Sequence, residues 1–268
     1  MHLYFNGDSF VAGIELGDDI LPNYPGLSQN INRHWYNNIR RVEHDSDIYR
    51  QIKKLEYERS FAYKTAQTLN VQFTNAALGG SSMDRIARIT IKDLLLLKKT
   101  HVNEKIIAII GTTECSRTEV PRTGNTSGRR VWEQIIIDST HLLDKEYQDF
   151  LKYKVLHETD YHRLINFYKN VILIKDFCKL NDIDLYWVAP VNNYETGQNT
   201  KIDNSVLEKM EDYKLLKEYA DLKYTIFMQG IKETEFFGKE VTCPGGHFAE
   251  AIHTVVATKL VEVIKNIQ

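Results

Sequence analysis

The chain is short of features that would settle its chemistry quickly. Its three cysteines, Cys115, Cys178 and Cys243, are odd in number and widely spaced with no CxxC pair. Neither a disulfide framework nor a zinc knuckle is expected, and a reducing compartment fits. No apolar run approaches the roughly 20 residues of a membrane span. The opening residues hold no basic stretch, apolar run and cleavage site in the order of a signal peptide. The reading is a cytoplasmic protein with no membrane partner. A formal net charge of −2 gives no global attraction to polyanions, so nucleic acid is not an expected partner. There is no GxxxxGKS loop, no GxGxxG turn and no metal-ligand spacing, so no cofactor and no metal are expected. Repeats, low-complexity tracts and a dividing linker are also lacking.

What is present is a core. Hydrophobic residues make up 43% of the 268 positions, enough for a folded globule. Five short apolar runs read as strands, at 2–5, 71–78, 105–111, 184–190 and 223–228. Between and after them lie helical stretches at 61–70, 81–97, 161–181 and 247–267, with Ser81 or Ser82 as N-cap of the second. Strands apolar on both faces that alternate with amphipathic helices predict a three-layer α/β/α sandwich around a mainly parallel five-stranded sheet. In such sheets sites gather beyond the carboxyl ends of the strands. Ser9, Gly79 to Ser82 and Gly111 to Glu114 all fall at such ends.

Residues 1–268 read as one domain with two insertions, at about 18–60 and 115–160, the second holding "RTEVPRTGNTSGRR". Both leave from the expected active edge, where long excursions serve as lids, substrate walls or subunit contacts. Trp35, Tyr36 and Tyr147 within them would suit stacking on sugar rings or a protein interface.

A serine hydroxyl needs a base to take its proton and donors for the oxyanion that follows attack. "FNGDSFVAG" sets Ser9 just past the first strand. "NAALGGSS" gives a Gly-Gly turn after the second, and "IIGTTECSR" a Gly-Thr-Thr turn after the third. "CPGGHFAEAIH" supplies His247 at the start of the closing helix. Asp8 reads as a turn organiser through its backbone N–H neighbours. His253, six positions after His247, points to a different helix face among Ile252, Val255 and Val256 and suits a buried structural role.

These blocks resemble the SGNH hydrolase superfamily, the GDSL esterases and lipases, across the chain from Gly7 to His247. The resemblance implies a flavodoxin-like sheet, Ser9 as nucleophile and His247 as general base. It also implies oxyanion donors from the N–H groups of Ser9 and Gly80, with Asn75 opening the second block. Two blocks depart from the family pattern. The GxND asparagine is replaced by Thr113, whose hydroxyl is the expected third oxyanion donor. The DxxH aspartate is replaced by Pro244, which leaves a backbone carbonyl, Glu240 or Glu250 to orient the histidine. Arg117 is a candidate for binding an anionic or sugar portion of a substrate, and a pair with Glu114 or Glu119 is its structural alternative. The expected activity is hydrolysis of an ester or O-acyl group, such as a carbohydrate O-acetyl, through an acyl-enzyme on Ser9. The alternative is a virus-encoded protein of this fold that binds a ligand or partner without turnover.

Overall fold

The computed structural model describes residues 1–20, 46–121, 132–136, 159–190, 207, 209–222, 225–237, 239, 241–243 and 246–266. Five parallel strands form the central sheet: β1 (His2–Asn6), β2 (Gln72–Asn75), β3 (Ile106–Gly111), β6 (Asp184–Ala189) and β7 (Ile226–Phe227). Their spatial order is β2-β1-β3-β6-β7. The chain starts in the middle of the sheet, steps outward to β2, then returns to the other side of β1 as β3. That reversal puts the switch point between β1 and β3, where α/β sheets open a crevice at their carboxyl edge.

Every residue of β1 and β3 is buried, which is why these two strands carry almost unbroken apolar sequence. Their side chains alternate between the two faces. Leu3, Phe5, Ile107 and Ile109 join Phe61, Ala66, Val256 and Leu260 on one side. That layer is built from α3 (Phe61–Leu69), α7 (Met228–Glu235) and α8 (Glu250–Lys265). Tyr4, Ala108 and Ile110 meet Ile86, Leu94, Phe167 and Val171 on the other. There the layer consists of α4 (Met83–Thr100), α5 (Asp160–Leu180) and α6 (Glu211–Ala220).

Capping fixes where several of these helices start. Ser82 accepts a hydrogen bond from the Arg85 N–H at the start of α4, and Ser60 does the same from Tyr63 for α3. Two boundaries differ from expectation. The last helix begins at Glu250 and not at His247, because Phe248 pairs across a short bridge with Thr242 and the Cys243 N–H donates to the His247 carbonyl. The fifth strand is only Ile226–Phe227, and Met228 already opens α7.

Within the first excursion lies α2 (Asp47–Arg59), capped by Ser46. The second contains an antiparallel hairpin, β4 (Arg117–Pro121) with β5 (Trp132–Ile136), which periodicity did not announce. Trp35, Tyr36 and Tyr147 lie outside the described residues. No helix among the described residues is long and apolar enough to cross a membrane.

Candidate active site

The chain leaves β1 through Asn6 and Gly7 and turns at once into α1 (Ser9–Ala12). Asn6 anchors this exit from below. Its amide donates to the Ile86 carbonyl and the Thr90 hydroxyl of α4, while its own oxygen accepts from the Gly7 N–H. Asp8 caps α1, its Oδ1 accepting from the Phe10 N–H at 3.0 Å, as a turn organiser should. Gly7 and Gly111 allow the ends of β1 and β3 to close on α1: a Cβ added at Gly111 would sit 2.2 Å from Val11 Cγ2. Ser9 is thereby held in a largely buried position at the switch point.

The β2–α4 turn comes up beside it. A Cβ on Gly79 would lie 3.8 Å from Ser9 Cβ, so this glycine is a neighbour of the nucleophile candidate. Gly80 has φ of 76°, a left-handed conformation that favours glycine, with open space around it. Asn75 accepts from the Ala77 N–H and its amide approaches the Val11 carbonyl, tying this turn to α1. Among the described residues nothing accepts a hydrogen bond from the N–H of Ser9 or of Gly80.

His247 reaches the same edge from the other end of the chain. Its ring centroid lies 5.0 Å from that of Phe10, the residue after Ser9, and Phe248 packs on Phe10 at 5.3 Å. No hydrogen bond joins Ser9 Oγ to the imidazole in this arrangement. Such bonds are often long before substrate binds.

The carboxylate facing this histidine is one that sequence reasoning missed. Glu15 Oε2 lies 3.2 Å from His247 Nδ1 and accepts from the His247 backbone N–H at 3.4 Å. The Nδ1 contact is close but poorly aligned, so Nδ1 lacks a well-formed hydrogen bond. Glu15 is buried and left-handed, with φ of 75°. Its backbone N–H is held by Glu56 Oε1, and Glu56 in turn pairs with Lys53. Neither acid proposed from sequence is seen at this imidazole. Glu250 pairs with Lys64 and Arg59 on the surface, and Glu240 is outside the described residues. Pro244 is outside them as well. The signal that would have found Glu15 is its place six residues after Ser9, on the segment that leaves α1.

Two further candidates have internal partners. The Thr113 hydroxyl is buried and donates to Asp8 Oδ2 at 3.1 Å, so its single proton is engaged in this arrangement. Arg117 pairs with neither Glu114 nor Glu119. Its Nη1 lies 3.2 Å from Asp8 Oδ2, while Glu119 takes a two-pronged contact from Arg88. In this arrangement it braces Asp8 from inside. Burial pushes the Asp8 carboxyl upward, and Arg117, the Phe10 N–H and the Thr113 hydroxyl oppose that shift.

His253 is a buried core residue. Its Nδ1 accepts from the Phe61 N–H at 3.2 Å, its ring stacks on Phe61, and burial pushes its pKa down to about 3. No group of three or more acidic, histidine or cysteine side chains among the described residues is arranged to hold a metal ion.

The folded chain is similar to several solved structures. A lipolytic protein of the G-D-S-L family from Veillonella parvula shares 14% identity, at a TM-score of 0.45, covering 99% of this chain and 98% of that one. A carbohydrate esterase whose active site displays divergent catalytic and non-catalytic binding functions shares 16% identity at a TM-score of 0.45, over 98% of this chain and 68% of that one. An acetyl xylan esterase from the rumen bacterium Butyrivibrio proteoclasticus shares 12% at 0.45, over 99% and 63%. No family model matches the sequence, and no curated protein does. At such identities and TM-scores a chemical reading has to rest on the residues themselves.

Proposed function

We propose that this chain is a serine ester hydrolase of SGNH type. The observation that carries the reading is the Glu15 carboxylate against His247 Nδ1, with the imidazole packed on the residue that follows Ser9. In this reading an acid, an imidazole and a hydroxyl from positions 15, 247 and 9 work together at one sheet edge.

In this reading Ser9 Oγ attacks the ester carbonyl as His247 Nε2 takes its proton, and Glu15 steadies the imidazolium through Nδ1–H. The N–H groups of Ser9 and Gly80, free of other acceptors among the described residues, receive the oxyanion. His247 returns the proton to the leaving alcohol, and water then releases the acyl group from Ser9 by the reverse sequence. The Glu15 carboxylate supplies what the missing DxxH aspartate would have, while the oxyanion site relies on backbone donors without a side-chain amide.

The test is reaction with a serine-directed fluorophosphonate and hydrolysis of short 4-nitrophenyl esters by the wild type, Ser9→Ala and His247→Ala. The expected result is stoichiometric labelling lost in Ser9→Ala, and hydrolysis lowered by at least about 10²-fold in His247→Ala. Labelling that survives Ser9→Ala would remove Ser9 as nucleophile. No labelling of the wild type would leave the alternative, a binding protein of this fold, for which the engaged Thr113 hydroxyl is the favouring observation.

A further inference from the structure

Beside Ser9 lies a cavity of about 330 Å³. Its floor is Ala12 and Ile14 from α1 and its exit, with Leu78 and Gly79 from the β2–α4 turn; Tyr49 and Tyr57 of α2 form the far wall. Ser9 itself does not line it, but two lining residues are its neighbours. Gly79 is the residue whose Cβ would approach Ser9 Cβ, and Ala12 follows Ser9 by three positions on the same helix face.

The stereochemistry of acyl transfer says which part of a substrate this cavity would hold. At the tetrahedral carbon on Ser9 Oγ, the oxyanion must face the N–H groups of Ser9 and Gly80. The leaving oxygen must face His247, because the imidazole returns the proton to it. Only the acyl substituent is left for the remaining direction. None of the groups on the histidine side, Phe10, His247 or Phe248, lines the cavity, whereas the Gly79 side does. Ala12, Ile14, Ala77 and Leu78 give it an apolar part; its charged groups, Lys53 and Glu56, already pair with each other, and the Asn75 amide is held by the Ala77 N–H and the Val11 carbonyl.

We infer that the cavity walled by α2 is an acyl pocket, selecting esters of unbranched acyl chains of about six to eight carbons over acetyl esters. A methyl group fills about the volume of one water, ~30 Å³, so acetyl would leave most of the space to solvent. In the step concerned, Ser9 Oγ forms its bond to the acyl carbon and the carbon–oxygen bond to the alcohol breaks. The Ser9 proton passes through His247 to that alcohol, and the chain stays in the cavity on the acyl-enzyme. The inference rests on the ester-hydrolase reading and names the substrate class of the same site.

The experiment is kcat/KM for 4-nitrophenyl acetate, butyrate, hexanoate and octanoate with the wild type, Leu78→Trp and Tyr49→Ala. Burial of each methylene favours the longer ester by up to about fourfold, so hexanoate should exceed acetate by at least tenfold in the wild type. Leu78→Trp, which fills the cavity, should lower the hexanoate-to-acetate ratio about tenfold. Tyr49→Ala, which opens the far wall, should move the preference toward octanoate even if the tryptophan variant does not fold. Ser9-dependent hydrolysis that is flat or falls with chain length would overturn the acyl pocket while leaving the esterase reading intact. An unchanged ratio in both variants would do the same. Absence of hydrolysis and of fluorophosphonate labelling together would overturn both.

Discussion

Glu15 holds a left-handed backbone that a residue with a side chain adopts at a cost of about 1–2 kcal/mol. It is held there by its own N–H on Glu56, its carbonyl on the Asp18 N–H and its carboxylate on His247. If the carboxylate orients and stabilises the imidazolium, Glu15→Gln keeps the shape and removes the charge. Turnover should fall by about 10²- to 10⁴-fold with KM little changed, as measured on a 4-nitrophenyl ester. A purely structural Glu15 would instead lower thermal stability and spare kcat in the folded fraction. Asp8 presents the opposite case, a charge used for architecture. Arg117→Ala would leave its buried carboxylate without its cation, and urea unfolding should report a loss of about 3 kcal/mol. Adding Asp8→Asn to that variant should recover part of the loss, because the uncompensated charge is then gone.

At the scale of elements, the site depends on how tightly α1 sits over the ends of β1 and β3. Gly111→Ala would drive a methyl into Val11 and displace α1 with Ser9 on it. The expected cost is about 1–3 kcal/mol in stability, with a larger fractional loss of esterase activity than Val11→Ala, which keeps the gap open. The paired readouts are urea midpoints and kcat/KM. The same scale shows why some boundaries were legible and others were not. Ser82 marks the start of α4 by a local rule, a hydroxyl accepting from a backbone N–H three residues on, and the apolar spacing of 161–181 corresponds to α5. The start of α8 obeyed a non-local one. Residues 247 and 248 carry helix-compatible sequence, but the bridge from Phe248 to Thr242 and the Cys243–His247 hydrogen bond hold them out of the helix. The result keeps the His247 ring beside Phe10.

For the whole molecule, the most exposed consequence of this packing is a dependence of stability on pH. Asp18 is buried with Oδ1 lacking a partner, and burial, with Glu56 and Glu15 nearby, raises its pKa from 3.8 to about 7. Below about pH 4 folded and unfolded chains both hold this proton. Between pH 4 and 7 the unfolded carboxyl ionises while the folded one does not, so this group's contribution to stability is lost as pH rises through that window. Asp18→Asn should abolish that part of the slope and be the more stable form at pH 8, by a ceiling of about 4 kcal/mol. Urea unfolding at pH 4 and pH 8 checks both. The sequence by itself determined the layered architecture, because apolar runs and amphipathic periods are local properties that each strand and helix carries alone. It also marked Ser9, Gly80 and His247 as groups able to meet at one edge. Only the tertiary structure decided the company they keep: Glu15 on the imidazole, Thr113 and Arg117 on Asp8, and α2 across a cavity. Those pairings join positions as far apart as 15 and 247, and no short-range rule of spacing or propensity reaches across that distance. They follow from which strand ends the sheet order brings together.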